Sequence, residues 1–200
     1  MNTMLYLLVS VIAFAVTAVL GKWMIPFLHK LKFGQTIREV GPSWHKSKQG
    51  TPTMGGIMFI LGIAIAMIGC LPIFYSFGME EAVLLKAKTF AGLGMAVAFG
   101  VIGFMGDYIS ILKKRNLGLT ERQKLVLQFA VAAAYLVSVA LAGGGTSTTI
   151  PFVGQLDLGW SYYPLAAVVI VGVVNAVNFT DGIDGLNTTV SFFAFLSLAL

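Results

Sequence analysis

Charged residues are scarce in this chain. Only 10% of its 200 residues are charged and 58% are hydrophobic, which gives a mean hydropathy of +0.89. Soluble domains carry about 25% charged and about 45–50% apolar residues. The composition therefore excludes a soluble domain and predicts an integral membrane protein. Cysteine is scarce too: Cys70 is the only one, so an intrachain disulfide is excluded, and its apolar surroundings predict a buried thiol.

The start of the chain lacks the features of a cleaved signal peptide. No basic residue precedes the first apolar stretch. That stretch is also longer than the usual h-region of about 7–15 residues. We therefore expect the first apolar segment to be a retained membrane span.

Six apolar runs follow one another along the chain, at 3–21, 53–74, 89–106, 125–142, 164–177 and 189–200. A helix needs about 20 residues to cross the hydrocarbon core. The runs predict an all-α polytopic membrane protein with about six transmembrane helices, the last cut off at Leu200. We expect residues 1–200 to form a single transmembrane domain, the N-terminal part of a longer protein. The Gly- and Thr-rich loop 143–163 predicts a short hairpin.

The thirteen basic residues are unevenly distributed: six lie within 22–48, two at 86 and 88, five within 113–124, and none in 143–163. The positive-inside rule therefore makes the first and third loops cytoplasmic and leaves the N-terminus outside. The net charge of +5 is thus a topological signal. It forms no nucleic-acid patch, and we expect no nucleic-acid partner.

Polar side chains follow the fifth apolar run in NAVNFTDGIDG (175–185). Asn178, Asp181 and Asp184 are spaced three apart, which would place them on one face of a helix. Carboxylate and amide oxygens are ligands that Mg²⁺ prefers. Asp107 ends the third run at the same predicted depth and side, and an ionisable residue there usually serves a site. The pattern predicts a site for phosphate groups and a divalent metal.

Two helix starts are predicted from capping residues. Thr51 suits the N-cap and Pro52 the first turn of the second span. Thr120 and Gln123 have the spacing of a capping box before the fourth span.

Three stretches carry a family resemblance: KQGTPTMGG (48–56), GFMGDY with KKRNLGLTERQK (103–124), and NAVNFTDGIDGL (175–186). Together they resemble the phospho-N-acetylmuramoyl-pentapeptide transferases, within the polyprenyl-phosphate N-acetylhexosamine-1-phosphate transferase superfamily. DGIDG alone would fit the whole superfamily, whereas GTPTMGG favours the muramoyl-pentapeptide branch.

The resemblance implies an enzyme of about ten spans in the bacterial cytoplasmic membrane. Its active site would face the cytoplasm, and it would require Mg²⁺ and form homodimers. Undecaprenyl phosphate would attack UDP-MurNAc-pentapeptide within the lipid bilayer, giving lipid I and UMP for peptidoglycan biosynthesis. The residues implied are catalytic Asp107, Asp181 and Asp184; metal-binding Asp107 and Asp181, with a further ligand beyond residue 200; and substrate-binding Lys48, Thr53, Lys113, Lys114, Lys124 and Asn178.

Two positions depart from the family pattern. The family has two adjacent aspartates where this chain reads Gly106-Asp107, so the first is missing. A family lysine three residues further on is Ser110 here, which leaves Lys113 or Lys114 to replace it. The missing aspartate predicts impaired turnover.

Three other functions remain open. A sister transferase would use UDP-GlcNAc with the same lipid acceptor. A membrane transporter would coordinate a cation with Asp and Asn near the bilayer midplane, at broken helices. A non-catalytic, lipid-binding relative would keep the site without turnover, and Gly106 is the feature that favours this reading.

Overall fold

The computed structural model of the chain describes residues 2–30, 54–70, 72–73, 83–112, 118–150, 152–183 and 185–199. Within these ranges the helices are α1 (Asn2–Lys30), α2 (Gly56–Gly69), α3 (Val83–Leu112), α4 (Glu121–Leu141), α5 (Tyr162–Thr180) and α6 (Leu186–Ala199). Strands β1 (Ser147–Ile150) and β2 (Gly154–Asp157) and a 3₁₀ turn, Gly159–Ser161, lie between α4 and α5.

The helices have the length and apolarity of membrane spans. Four are long enough to cross a bilayer, with apolar windows at Leu7–Lys30, Ala87–Leu112, Glu121–Leu141 and Gly159–Thr180, and two shorter apolar helices lie at Gly56–Gly69 and Leu186–Ser197. Large side chains such as Phe14 and Trp23 point outward, as expected when lipid is the solvent. The predicted all-α polytopic fold is confirmed, and so is the hairpin in 143–163.

The chain divides into two compact units, Met1–Leu127 and Gln128–Leu200. In the first unit α2 packs closely on α1. A Cβ atom added to Gly62 would overlap the Thr17 hydroxyl, so only a glycine allows this approach. Ile60 of α2 meets Gly100 of α3 in the same way. Cys70 is buried at the end of α2, which confirms the predicted buried thiol.

In the second unit the buried residues come from α5 and from the part of α4 that begins at Gln128: Gln128, Ala132, Leu136 and Val171. Strands β1 and β2 pair antiparallel, with Ser147 opposite Asp157 and Ile150 opposite Gly154. The hairpin joins the end of α4 to the start of α5, and α6 follows α5 after a short turn.

The two predicted helix starts have different outcomes. The α4 capping box is confirmed: the Thr120 N–H donates to Gln123 Oε1 at 3.1 Å, and the Gln123 N–H donates to Thr120 Oγ1 at 3.3 Å. The predicted N-cap Thr51 and first-turn Pro52 of the second span lie outside the described residues. Met54 has φ +68°, which no α-helix accommodates, and α2 begins two residues later, at Gly56.

Candidate active site

The first cluster of predicted site residues is built around Asp107, near the end of α3. Met54 is buried just before α2 and has a left-handed backbone, with φ +68°. The Met54 N–H donates a hydrogen bond to the half-buried Asp107 carboxylate. The end of the KQGTPTMGG motif is therefore fastened to the aspartate of the GFMGDY motif.

Lys124 is a positively charged residue that acts on this aspartate. It lies in the first turn of α4, where the capping box fixes the start of the helix, and it attracts the Asp107 carboxylate electrostatically. A carboxylate beside an ammonium group and a backbone N–H is suited to a site for anions and cations together. The ammonium can contact phosphate oxygens while the carboxylate binds a metal.

Gly118 holds the loop before α4 against α3. A Cβ atom added at Gly118 would overlap the carbonyl oxygen of Gly106, and the obstacle is main chain that cannot rotate away. Gly118 thus lies directly on Gly106, the residue that departs from the family pattern. A Cβ atom added at Gly106 itself meets nothing within 4 Å, so that position has room for a carboxylate.

The NAVNFTDGIDG segment differs from its prediction. We expected Asn178, Asp181 and Asp184 on one helical face, but α5 ends at Thr180, and Asp181 is its C-cap, with φ −77° and ψ 17°. Gly185, with φ +80°, precedes α6, and glycine favours that left-handed conformation. Asn178 and Asp181 are exposed at the helix end. There the negative end of the helix dipole adds to the Asp181 charge and attracts cations.

A buried polar pair includes Asn175, the first residue of this segment, and was not predicted. Asn175 Nδ2 donates to Gln128 Oε1 at 2.7 Å and to the Val171 carbonyl at 2.8 Å. Gln128 is 2% exposed, so the bond joins α4 to α5 inside an apolar contact. The signal was present in the sequence, because Asn175 and Gln128 are amides within apolar runs. The pair fixes how α5 is rotated, and Asn178 lies one turn further along that helix.

Several predicted residues lie outside the described ranges: Lys48, Thr53, Lys113, Lys114 and Asp184. Asp107 and Lys124 belong to the first unit, and Asn178 and Asp181 to the second. The convergence of the two groups therefore stays a prediction. Among the described residues, no group of three or more His, Cys, Asp or Glu side chains could hold a metal ion.

Comparison with known protein families shows the family to which the chain belongs. The sequence model of glycosyl transferase family 4 matches residues 89–200, more than half of the chain. The chain belongs to glycosyl transferase family 4. The family 4 match contains Asp107, Lys124, Asn178 and Asp181. In addition, phospho-N-acetylmuramoyl-pentapeptide-transferase signature 1 matches residues 48–60, which include Met54.

Related proteins carry the same name as the signature. The phospho-N-acetylmuramoyl-pentapeptide-transferase of Halalkalibacterium halodurans is 42% identical over 195 residues, 97% of this chain and 58% of the relative. Those of Geobacillus kaustophilus and Bacillus subtilis are each 42% identical and cover 94% of this chain and 56% of the relative. The resemblance drawn from the motifs is confirmed. The chain spans about half the length of these curated relatives.

Proposed function

We propose that this family 4 chain is part of a phosphoglycosyl transferase of peptidoglycan biosynthesis. The enzyme transfers phospho-MurNAc-pentapeptide from UDP-MurNAc-pentapeptide to undecaprenyl phosphate, giving lipid I and UMP. The observation that carries the proposal is the hydrogen bond between Met54 and Asp107, which joins the signature segment to the family 4 region. The name shared by the relatives supports this choice of substrates.

We propose that the enzyme works in the bacterial cytoplasmic membrane, with its N-terminus outside. The clustering of basic residues in the first and third loops supports this orientation. With alternating spans, the end of α3, the start of α4 and the end of α5 would all face the cytoplasm, where a nucleotide substrate is available. A homodimer is the assembly that we expect.

The chief obstacle to this reaction is repulsion between anions. Two unit charges of like sign 4 Å apart repel by about 4 kcal/mol at an effective dielectric of about 20. A phosphate monoester has a second pKa of about 6, so the lipid phosphate is largely ionised at neutral pH and needs little activation by a general base. Its oxygen attacks the β-phosphorus while the bond to the UMP oxygen breaks. Lys124 would bind the phosphate oxygens of the nucleotide and offset this repulsion.

Carboxylate oxygens are the ligands that a hard divalent cation such as Mg²⁺ prefers. The Asp107 carboxylate accepts one hydrogen bond from the Met54 N–H, and its remaining lone pairs could bind a metal. The Asp181 carboxylate is exposed at a helix end. Asp107 and Asp181 would hold Mg²⁺, with a further ligand beyond residue 200. When bound, Mg²⁺ neutralises charge on the phosphoryl oxygens. Asp184 and Asn178 would bind and orient the nucleotide.

The decisive experiment restores the missing aspartate. The full-length protein and its Gly106→Asp variant are compared in the Mg²⁺-dependent exchange of labelled UMP with lipid I. Because a side chain at Gly106 meets open space, the variant should fold. We expect a gain of about 10²-fold or more, the range for a well-placed acid or base. Gly103→Asp is the control, since Gly103 is equally open one turn earlier on α3, and it should give no gain.

Each other outcome has a distinct meaning. Equal exchange by the wild type and Gly106→Asp would remove the need for the missing carboxylate. Faster UMP release from UDP-GlcNAc than from UDP-MurNAc-pentapeptide would identify the sister transferase. An absence of exchange in both forms, with undecaprenyl phosphate still bound, would overturn the transfer reaction in favour of the lipid-binding relative.

A further inference from the structure

The turn of the β1–β2 hairpin presents two apolar side chains to the surroundings. Phe152 is 109% exposed and Val153 is 73% exposed. Phe152 has φ +68°, a conformation that bulky residues rarely adopt. The Val153 N–H bonds to the Ile150 carbonyl at 3.1 Å and closes the turn. Glycine or asparagine would suit this backbone conformation better than phenylalanine.

The hairpin has two chemically different faces. Alternate strand residues point to opposite sides, and directly paired residues share a side. From the observed register, the apolar face consists of Thr148, Ile150 and Leu156, and the polar face of Ser147, Thr149, Gln155 and Asp157. Hydrogen bonds from the Thr146 hydroxyl and the Gly159 N–H hold the pKa of the Asp157 carboxyl below its usual value. The polar face therefore keeps its charge near neutral pH.

The hairpin is tethered where two apolar helices end. The exposed Leu141 closes α4 a few residues before β1, and Trp160, 82% exposed, begins the span that continues as α5. An apolar groove of about 490 Å³ runs between α4 and α5 at this end, between Leu141 and Tyr163. No lysine or arginine lies in 143–163. The lipid-facing surface of the helices thus continues up to the base of the hairpin.

We propose that the hairpin is a membrane-surface anchor. Its tip, formed by Phe152 and Val153, enters the interfacial layer of the leaflet at this end of α4 and α5, where Trp160 lies at the base of the hairpin, while the polar face stays in water. Aromatic side chains are enriched at that depth because they are amphipathic. A strand of four residues extends only about 13 Å, so the tip stays within reach of the lipid. The anchor fixes the depth of α5, whose other end carries Asn178 and Asp181.

The test places a fluorescent probe on the tip and on the polar face. Cys70 is the only cysteine within residues 1–200, so a cysteine-free background is made with Cys70→Ala together with replacement of every cysteine in the rest of the full-length protein. In the full-length protein, Phe152→Cys and the control Gln155→Cys are labelled with NBD and reconstituted in phosphatidylcholine vesicles. We expect nitroxide-labelled lipid to quench the probe at 152 roughly twofold and to leave the probe at 155 unchanged. Aqueous iodide should show the reverse preference.

Three results would overturn the anchor. Quenching of both probes by iodide, and of neither by nitroxide lipid, would place the whole hairpin in water. A probe at 152 that is shielded from both quenchers would mean that a protein covers the tip. Equal nitroxide quenching at 152 and 155 would mean that the entire hairpin is immersed and that its two faces are not distinguished.

Discussion

Breaking the buried pair Gln128–Asn175 should destabilise the fold more than removing both partners together. Asn175→Leu takes away the donor at 2.7 Å and leaves Gln128 Oε1 in a site that is 2% exposed. An orphaned buried acceptor costs about 1–3 kcal/mol. The net stabilisation from a hydrogen bond between membrane helices averages only about 0.6 kcal/mol, with a maximum of about 1.7 kcal/mol. The penalty for the broken bond therefore exceeds the gain from making it.

A double-mutant cycle measures this difference. Unfolding free energies are obtained in detergent micelles for Asn175→Leu, Gln128→Leu and the double variant. We expect Asn175→Leu to lose about 1–3 kcal/mol and the double variant to lose less than Asn175→Leu alone. Gln128→Leu should also lose less, because Asn175 keeps its hydrogen bond to the Val171 carbonyl. Ser138→Ala is the matched control, because it removes a hydrogen bond from Ser138 to the Ala134 carbonyl within the same helix. That variant should lose less than about 0.5 kcal/mol.

One outcome of the double-mutant cycle would contradict this prediction. Strictly additive losses in the double variant, or a neutral Asn175→Leu, would show that the two amides do not depend on each other. The reasoning about a buried, mutually satisfied pair would then be refuted.

Three further predictions concern other contacts. Gly118→Ala should lower the free energy of unfolding by about 1–3 kcal/mol, because the added methyl group meets the main chain of Gly106. Gly103→Ala is the control and should cost nothing, because its methyl group enters open space. Equal losses in the two variants would contradict the close approach of Gly118 to Gly106. Lys124→Gln should raise KM for the nucleotide substrate about tenfold or more and Lys124→Arg much less, whereas an unchanged KM would remove Lys124 from the site. The lowered pKa of Asp157, due first to Thr146, stabilises the folded hairpin above the ordinary aspartate pKa of about 4, and this contribution is lost as the pH falls through the lower folded value. Melting temperatures of the wild type and Asp157→Asn should therefore differ at pH 7 and converge in acid, and a constant difference would contradict the assignment.

Much of the fold could be predicted because lipid imposes simple rules on sequence. Apolar runs identified the six helices in the described ranges, and the Gly- and Thr-rich loop identified the hairpin. The capping box at Thr120 and Gln123 was predicted because its hydrogen bonds join residues only three apart. Such features depend on local sequence.

The contacts that build the site could not be predicted in the same way. Met54 adopts a left-handed backbone that its own side chain disfavours, and a bond to Asp107, far along the chain, accompanies it. The end of α5 at Thr180 depends on the turn that follows, which hydropathy does not resolve. Hydropathy also cannot tell which helix face meets another helix, because lipid and protein interior are equally apolar. The pairing of Gln128 with Asn175 was hidden for that reason.

The close crossing of α1 and α2 has a consequence for how the protein is made. Gly62 receives Thr17 of the preceding helix, so both partners of this contact are synthesised before α3 begins. The ribosome thus releases into the membrane a pair of helices that can associate while the rest of the chain is still being translated. A bulky residue at Gly62 would therefore impair biogenesis at its first step, and the fault would be seen as premature degradation of nascent chains.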